Sequence, residues 1–216
     1  MKKYLVIGNP IKHSLSPKLH NHWINKNKIN AVYEKKLLNK DDIGGIISQV
    51  KKGEIDGINV TVPFKKSVIP FLEELSFEAN KSQSVNIIYK KNNKIIGHNT
   101  DIAGFELGLR SIQYDVKGKK IFILGAGGVV SSIVLALKKM KVSEIILSNR
   151  TKQKAKDLKK SFPDLKIVDW GKTPEFHMII NATSIGLNKD DEIKLNFKDI
   201  GPNKFFYDVV YNPKET

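Results

Sequence analysis

Residues 120–150 read KIFILGAGGVVSSIVLALKKMKVSEIILSNR, and this stretch decides the fold. A short apolar run, KIFIL, has the length and β-branched content of a buried strand. It is followed at once by Gly125, Ala126, Gly127 and Gly128, then by VVSSIVLALKKM, which is apolar at helical spacing, and then by a second strand, EIILS. A glycine-rich turn between a buried strand and an apolar helix is the setting of a dinucleotide loop. Glycines permit a tight turn and a close approach of backbone to a pyrophosphate, and the free N–H groups of the helix N-terminus meet its charge. The second strand ends in Asn149, Arg150 and Thr151. An Asp or Glu there would accept hydrogen bonds from a ribose 2′-hydroxyl, whereas Arg150, with Lys154 about one helical turn on, suits a 2′-phosphate and therefore NADP. Val130 stands where a third Gly or Ala is usual, so the helix is expected to pack slightly farther from its strand.

Outward from this unit the chain alternates short β-rich runs with amphipathic stretches, the pattern of an α/β protein with mainly parallel sheets. Toward the N-terminus, YLVIG at 4–8 reads as a strand and Pro17 as the first residue of a helix capped by Ser16. A strand near AVYEKKLL, a helix from Asp41 to Lys52, a strand GINVTV ended by Pro63, a helix containing Pro70, and the strands VNIIY and KIIGH follow. NTDIAGFELGLRSI, 99–112, reads as a helix leaving this first half. Toward the C-terminus come a lysine-rich helix from Lys152 to Phe162 and strands at KIVDW, HMIINAT and FFYDVVY. The expected domains are 1–101 and 102–216.

Composition removes several function classes. The chain has no cysteine, which excludes disulfides and thiolate chemistry and suits a reducing cytoplasm. Its five histidines show no metal-ligand spacing, His20 and His22 being two apart on a predicted helix, so no metal is expected. No apolar run approaches the ~20 residues that cross a bilayer, so a soluble protein without membrane association is expected. The net charge of +15 comes from lysines spread along the whole chain without a basic helix or an aromatic nucleic-acid motif. A solvated surface that attracts an anionic small molecule is the reading, not nucleic-acid binding. Only two of the 37 basic residues are arginine, Arg110 and Arg150.

Polar clusters in the first half fall at loop and strand ends: Ser14 and Ser16; Asn59, Thr61 and Lys65; Asn86; Asn99 and Asp101. With the glycine turn they carry a resemblance. Through GNPIKHSLSPKLHN at 8–21, NVTVPFK at 59–65, SVN at 84–86, NTDIAGF at 99–105, GAGG at 125–128, NRT at 149–151, INATSIGL at 180–187 and YDVVYNP at 207–213, the sequence resembles the shikimate dehydrogenase family along essentially its whole length. The resemblance implies an N-terminal α/β substrate domain, a Rossmann-type NADP-binding domain with a cleft between them, and NADP-linked interconversion of 3-dehydroshikimate and shikimate. It further implies that Ser14 and Ser16 hold the substrate carboxylate with Tyr211 near it, and that Asn59, Thr61, Asn86 and Asp101 contact ring hydroxyls. Lys65 and Asp101 would be the catalytic pair, with Lys65 also touching substrate. The cofactor set is Gly125, Ala126, Gly127, Gly128, Val129, Asn149, Arg150, Thr151, Lys154 and Thr183. Reducing a ketone needs a hydride and a proton, and a lysine ammonium both stabilises the forming alkoxide and supplies that proton. Burial favours release of the proton and Asp101 its retention, so the two influences oppose each other. His13 and Tyr33 are further candidate acid/base groups, read in preference as a turn residue and a core residue.

Two departures from the family pattern bear on the site. Where the family has Gly-Ala-Val-Asn-Thr this chain has Gln83, Ser84, Val85, Asn86 and Ile87. If the glycine serves a positive φ, Gln83 is strained or the loop has moved. The family also continues for roughly another 50 residues after the YNP segment, as helices that return to the substrate domain, and these are absent from the 216 residues. Rival readings are therefore a quinate/shikimate dehydrogenase of broader substrate choice and a truncated, non-catalytic NADP-binding remnant. The oligomeric state is left open, with a homodimer among the alternatives.

Overall fold

The computed structural model describes residues 1–188, 191–197 and 200–213 and divides into two compact units, Met1–Asp101 and Ile102–Thr216. In the first unit β1 (Lys2–Gly8), β2 (Ala31–Leu37), β3 (Gly57–Val60), β4 (Glu74–Leu75), β5 (Ile87–Lys91) and β6 (Lys94–His98) form one sheet in the order β2-β1-β3-β5-β6-β4. Only β5 runs against its neighbours. It joins β6 through Asn92 and Asn93, both at positive φ, the backbone a two-residue hairpin requires and one that Asn tolerates.

The strand pleat sorts β1 between two cores. Leu5 and Ile7 face one side with α2 (Ile43–Lys52), and Val6 faces the other with Ile24 of α1 (Ser16–Lys26). Helix α2 buries Ile43, Ile46, Ile47 and Val50, a single stripe at helical spacing, and Gly53 ends it in the left-handed conformation.

Three local expectations need correction. Ser16 does not cap α1. It is the first helical residue, Leu15 stands at the N-cap without a side-chain cap, and the Ser16 N–H donates to Ser14 Oγ at 3.3 Å. The helix expected around Pro70 is a 3₁₀ turn, Ile69–Phe71, followed by the short strand β4, because a proline ring cannot continue an α-helix from its interior. An unexpected helix, α3 (Phe77–Ser82), lies beyond it, capped by Ser76 Oγ, which accepts from the Ala79 N–H. Gln83 then takes φ 48 at the end of α3, and its side-chain amide donates to the Asn80 carbonyl at 2.7 Å. The loop has kept the geometry that the glycine would serve.

In the second unit β7 (Lys120–Leu124), β8 (Glu144–Ser148), β9 (Lys166–Val168), β10 (Met178–Asn181) and β11 (Phe205–Asp208) form a wholly parallel sheet in the order β11-β10-β7-β8-β9. Ile121, Ile123, Ile145 and Leu147 face α4 (Asp101–Ser111), α5 (Val130–Lys139) and α6 (Lys152–Ser161), while Phe122, Leu124, Ile146 and Ile179 face the opposite side with Phe176. From β7 the chain winds one way to β8 and β9 and the other way to β10 and β11, which makes the β7/β10 boundary a topological switch point. Val130 is completely buried in the helix-side core, its larger side chain filling space there. Arg110 pairs with the buried Glu106 one turn earlier on α4, and Lys139 of α5 pairs with the same carboxylate, so Glu106 ties α4 to α5 through the lysine. Lys139 and then Arg110 hold the Glu106 carboxyl below the usual range. No helix among the described residues is long and apolar enough to cross a membrane.

Gln83→Gly removes a Cβ from a left-handed position. It is expected to stabilise the protein by up to about 1 kcal/mol in urea unfolding, the gain being limited by the greater freedom of glycine in the unfolded chain. A loss of stability would show that the Gln83 bonds to Asn80 outweigh the backbone strain.

Candidate functional site

The polar clusters of the first unit converge by topology. Ser14 and Ser16 follow β1, Asn59 to Lys65 lie at and beyond the end of β3, and Asn99 to Asp101 follow β6, all at the C-terminal edge of parallel strands. Because β5 runs the other way, Asn86, just before it, reaches the same edge.

There Lys65 Nζ donates to Asp101 Oδ2 at 2.6 Å, the two side chains being only 11% and 19% exposed. Asp101 Oδ1 accepts from Asn86 Nδ2 at 2.9 Å, and the Asp101 N–H donates to Asn99 Oδ1 at 3.0 Å. Asn99 is buried and donates to Ser82 Oγ and the Ser84 carbonyl, so the C-terminal end of α3 supports the Asp101 backbone through one intermediate. Asn86 also exchanges two hydrogen bonds with Thr100, at 2.9 Å each. Both amide protons of Asn86 are thus used on Thr100 and Asp101, and its most direct service is to hold Asp101. The Lys65 backbone is fixed in turn, its carbonyl accepting from the Val85 N–H.

Asn59 stands beside this group. Its Nδ2 reaches the Asn86 carbonyl at 3.4 Å, and its Oδ1 accepts from the Tyr33 hydroxyl at 2.6 Å. Tyr33 is buried and stacked on His20, so it is a core residue whose polar tip orients Asn59. Thr61 is half-buried against Gly8, where an added Cβ would meet its methyl group at 2.6 Å. Ser14 and Ser16 bond to each other, and His13 lies half-buried in the same loop.

In the second unit the glycine turn closes β7. Gly125 has φ 108, and a Cβ there would lie 2.6 Å from the Ala182 carbonyl oxygen, so the position excludes any side chain on two counts. At Gly127 a Cβ would meet nothing closer than 4.0 Å, so the missing side chain leaves room beside the backbone. Helix α5 starts at Val130, after Val129, with no side-chain cap on its first N–H groups. Ala126, Gly128 and Val129 are half-buried in the same turn. At the end of β8, Asn149 Nδ2 donates to the Thr151 carbonyl and shapes the turn. Arg150 and Lys154 are exposed, and no carboxylate pairs with either among the described residues. A cradle open to a pyrophosphate, with two unneutralised cations beyond the next strand, fits a 2′-phosphorylated dinucleotide.

Thr183 lies just past β10, in a loop whose organising residue is Asn181, buried at the strand end. Asn181 and its partner Asp208 escaped the sequence reading, because 27 residues separate them and only the parallel pairing of β10 with β11 sets them side by side. Tyr211, 60% exposed, follows three residues after Asp208.

The sequence matches the family model for the shikimate dehydrogenase substrate binding domain over residues 6–88 and that for shikimate / quinate 5-dehydrogenase over 106–185. It is 63% identical over 215 residues to the shikimate dehydrogenase (NADP(+)) of Pelagibacter ubique, a match covering 100% of this chain and 81% of the relative. The chain belongs to the shikimate dehydrogenase family. Within that family it is 38% identical to the Caldicellulosiruptor saccharolyticus enzyme of the same name, covering 100% of this chain and 81% of that one. Its fold is similar to that of shikimate dehydrogenase from Aquifex aeolicus, with TM-score 0.89, 38% identity, and coverage of 98% of this chain and 79% of the other. It is also similar to the Thermus thermophilus enzyme in complex with NADP(H) and shikimate, with TM-score 0.86, 29% identity, and coverage of 99% and 80%.

Gly125→Ala forces the turn away from the Ala182 carbonyl and is expected to cost about 1–3 kcal/mol in the unfolding of the second unit. A urea midpoint equal to that of the wild type would mean that the turn relaxes freely.

Proposed function

We propose that the chain is an NADP-dependent shikimate dehydrogenase, reducing 3-dehydroshikimate reversibly to shikimate in aromatic amino acid biosynthesis. The observation that carries the catalytic assignment is the Lys65–Asp101 pair, held at 2.6 Å and largely withdrawn from water at the edge where the other polar groups collect. The names of its relatives support the reaction. The open glycine turn and the uncompensated Arg150 support the cofactor. Absence of cysteine suits a reducing cytoplasm.

NADPH, when bound, supplies the hydride. The proton is the task of this chain. A lysine ammonium has three donors, and Asp101 Oδ2 takes one, leaving others for the substrate carbonyl oxygen. As the carbonyl electron pair moves onto oxygen, an Nζ–H bond breaks and an O–H bond forms. The neutral amine regains its proton from water, and in the reverse direction it accepts the alcohol proton. Asp101, bonded through one oxygen to Lys65 and through the other to Asn86, fixes the direction in which Lys65 points. Ser14 and Ser16 would receive the substrate carboxylate. Asn59, with its carbonyl oxygen engaged by Tyr33, presents N–H to a ring hydroxyl, and Thr61 presents its own hydroxyl. On the cofactor side, Gly125 to Val129 would line the pyrophosphate, and Asn149, Arg150, Thr151 and Lys154 the 2′-phosphate.

Lys65→Ala and Asp101→Asn are each expected to lower kcat by about 10²–10⁴-fold, with a smaller change in KM, in an NADPH oxidation assay with 3-dehydroshikimate. Turnover within a few-fold of the wild type would remove Lys65 from the chemistry. Wild type that binds NADPH without turnover would favour a binding protein over an enzyme.

Arg150→Ala is expected to reduce the preference for NADPH over NADH by about ten-fold or more, the worth of a charged hydrogen bond. An unchanged preference, measured as the ratio of kcat/KM values, would place the 2′-phosphate elsewhere.

A further inference from the structure

Asn181 uses its whole hydrogen-bonding capacity within one small region. Its Oδ1 accepts from the Thr183 N–H at 3.1 Å and from the Thr183 hydroxyl at 2.7 Å. Its Nδ2 donates to the Ile185 carbonyl at 2.9 Å and to Asp208 Oδ2 at 3.0 Å. Two lone pairs and two protons are all an amide has, so the side chain is saturated and its orientation is fixed. Asp208 passes the constraint to the next strand end, its Oδ1 accepting from the Val210 N–H at 2.8 Å. A second clamp closes the far side of the loop, where the Asp191 carboxylate accepts from the N–H groups of Gly186 and Asn188 at 3.1 Å each. The Asn188 and Gly186 N–H groups hold the Asp191 carboxyl below its usual range.

This loop rests on the glycine turn. The Ala182 N–H donates to the Leu124 carbonyl, and the Ala182 carbonyl occupies the space a side chain at Gly125 would need. In the strand order β10-β7-β8 the glycine turn is central, Arg150 lies beyond β8, and the Asn181 loop lies beyond β10 on the other side. A dinucleotide laid across the switch point with its 2′-phosphate toward Arg150 directs its other half toward Thr183. Thr183 is no donor there. Its proton is committed to Asn181, and one lone pair accepts from the Ile185 N–H at 3.0 Å, so a single lone pair is left to offer.

We propose that Asn181 and Asp208 are positioning residues for the dinucleotide, setting the 182–187 loop so that Thr183 presents its oxygen as an acceptor to a hydroxyl or carboxamide donor on the nicotinamide half. The inference rests on the NADP-dependent reading above and adds to it the residues that select the ligand's distal end. The same pair fixes the start of the segment bearing Tyr211 through Val210.

Two probes separate this role from a merely structural one: NADPH, and adenosine 2′,5′-bisphosphate, which carries the 2′-phosphate but lacks the nicotinamide half. Both are titrated calorimetrically against wild type, Asp208→Asn and Asn181→Ala. Asp208→Asn is the milder change, turning one acceptor into a donor that faces another N–H. Each variant is expected to bind NADPH about ten-fold more weakly while binding the bisphosphate within about two-fold of wild type. Unchanged NADPH affinity in both variants overturns the proposal. So does a parallel loss of both probes, which would mean that the pair only holds the unit together. Wild type that binds neither probe overturns the NADP reading beneath it, a result distinct from either.

Discussion

A lysine and an aspartate held 2.6 Å apart with little water around them impose a demand on everything nearby. Removing two charges from water costs several kcal/mol each unless their remaining hydrogen-bonding capacity is met. In the first unit that capacity is met on the carboxylate side by Asn86, and the backbone of Asp101 is met by Asn99. These groups arrive from different strands, and a single reversed strand, β5, brings Asn86 to the edge where the parallel strands end. The mixed sheet is therefore the scaffold of an ion pair. On the ammonium side, donors remain, and that is the side on which a substrate oxygen would be bound.

The second unit follows a different logic, in which side chains hold the backbone around the glycine turn in place. The glycine turn works through absent side chains: one at Gly125 would collide with the neighbouring loop, and one at Gly127 would fill the space left open. The loop it touches is held by a saturated amide, Asn181, and a carboxylate, Asp208, facing each other across a pair of strand ends. Such a loop has few alternatives, and a site built on it needs little reorganisation on binding.

Much of this was legible in the sequence, and the reasons for success and failure are physical. The strand-turn-helix at 120–140 was readable because apolar periodicity and glycine placement are local signals. Arg150 stood out because it is one of two arginines in a lysine-rich chain, and its position after β8 has a defined meaning in such folds. Ser16 was assigned as a cap by composition, yet the serine two residues earlier accepts its N–H, a distinction that depends on backbone angles rather than residue type. Helix α3 is a six-residue element that no periodicity announces, and Gln83 at positive φ is legible only as a departure from a family pattern. Asn181 and Tyr33 were missed as orienting residues because their partners, Asp208 and Asn59, are brought near only by sheet register.

The central claim is that Lys65 delivers the proton while Asp101 aims it. A crystal structure of the wild-type chain with NADP and shikimate tests this most directly. The account predicts Lys65 Nζ within about 3 Å of the oxygen on the ring carbon that exchanges hydride, with Asp101 still bonded to Lys65. A shikimate whose reacting oxygen is bonded to another side chain, with Lys65 turned away from it, would contradict the account.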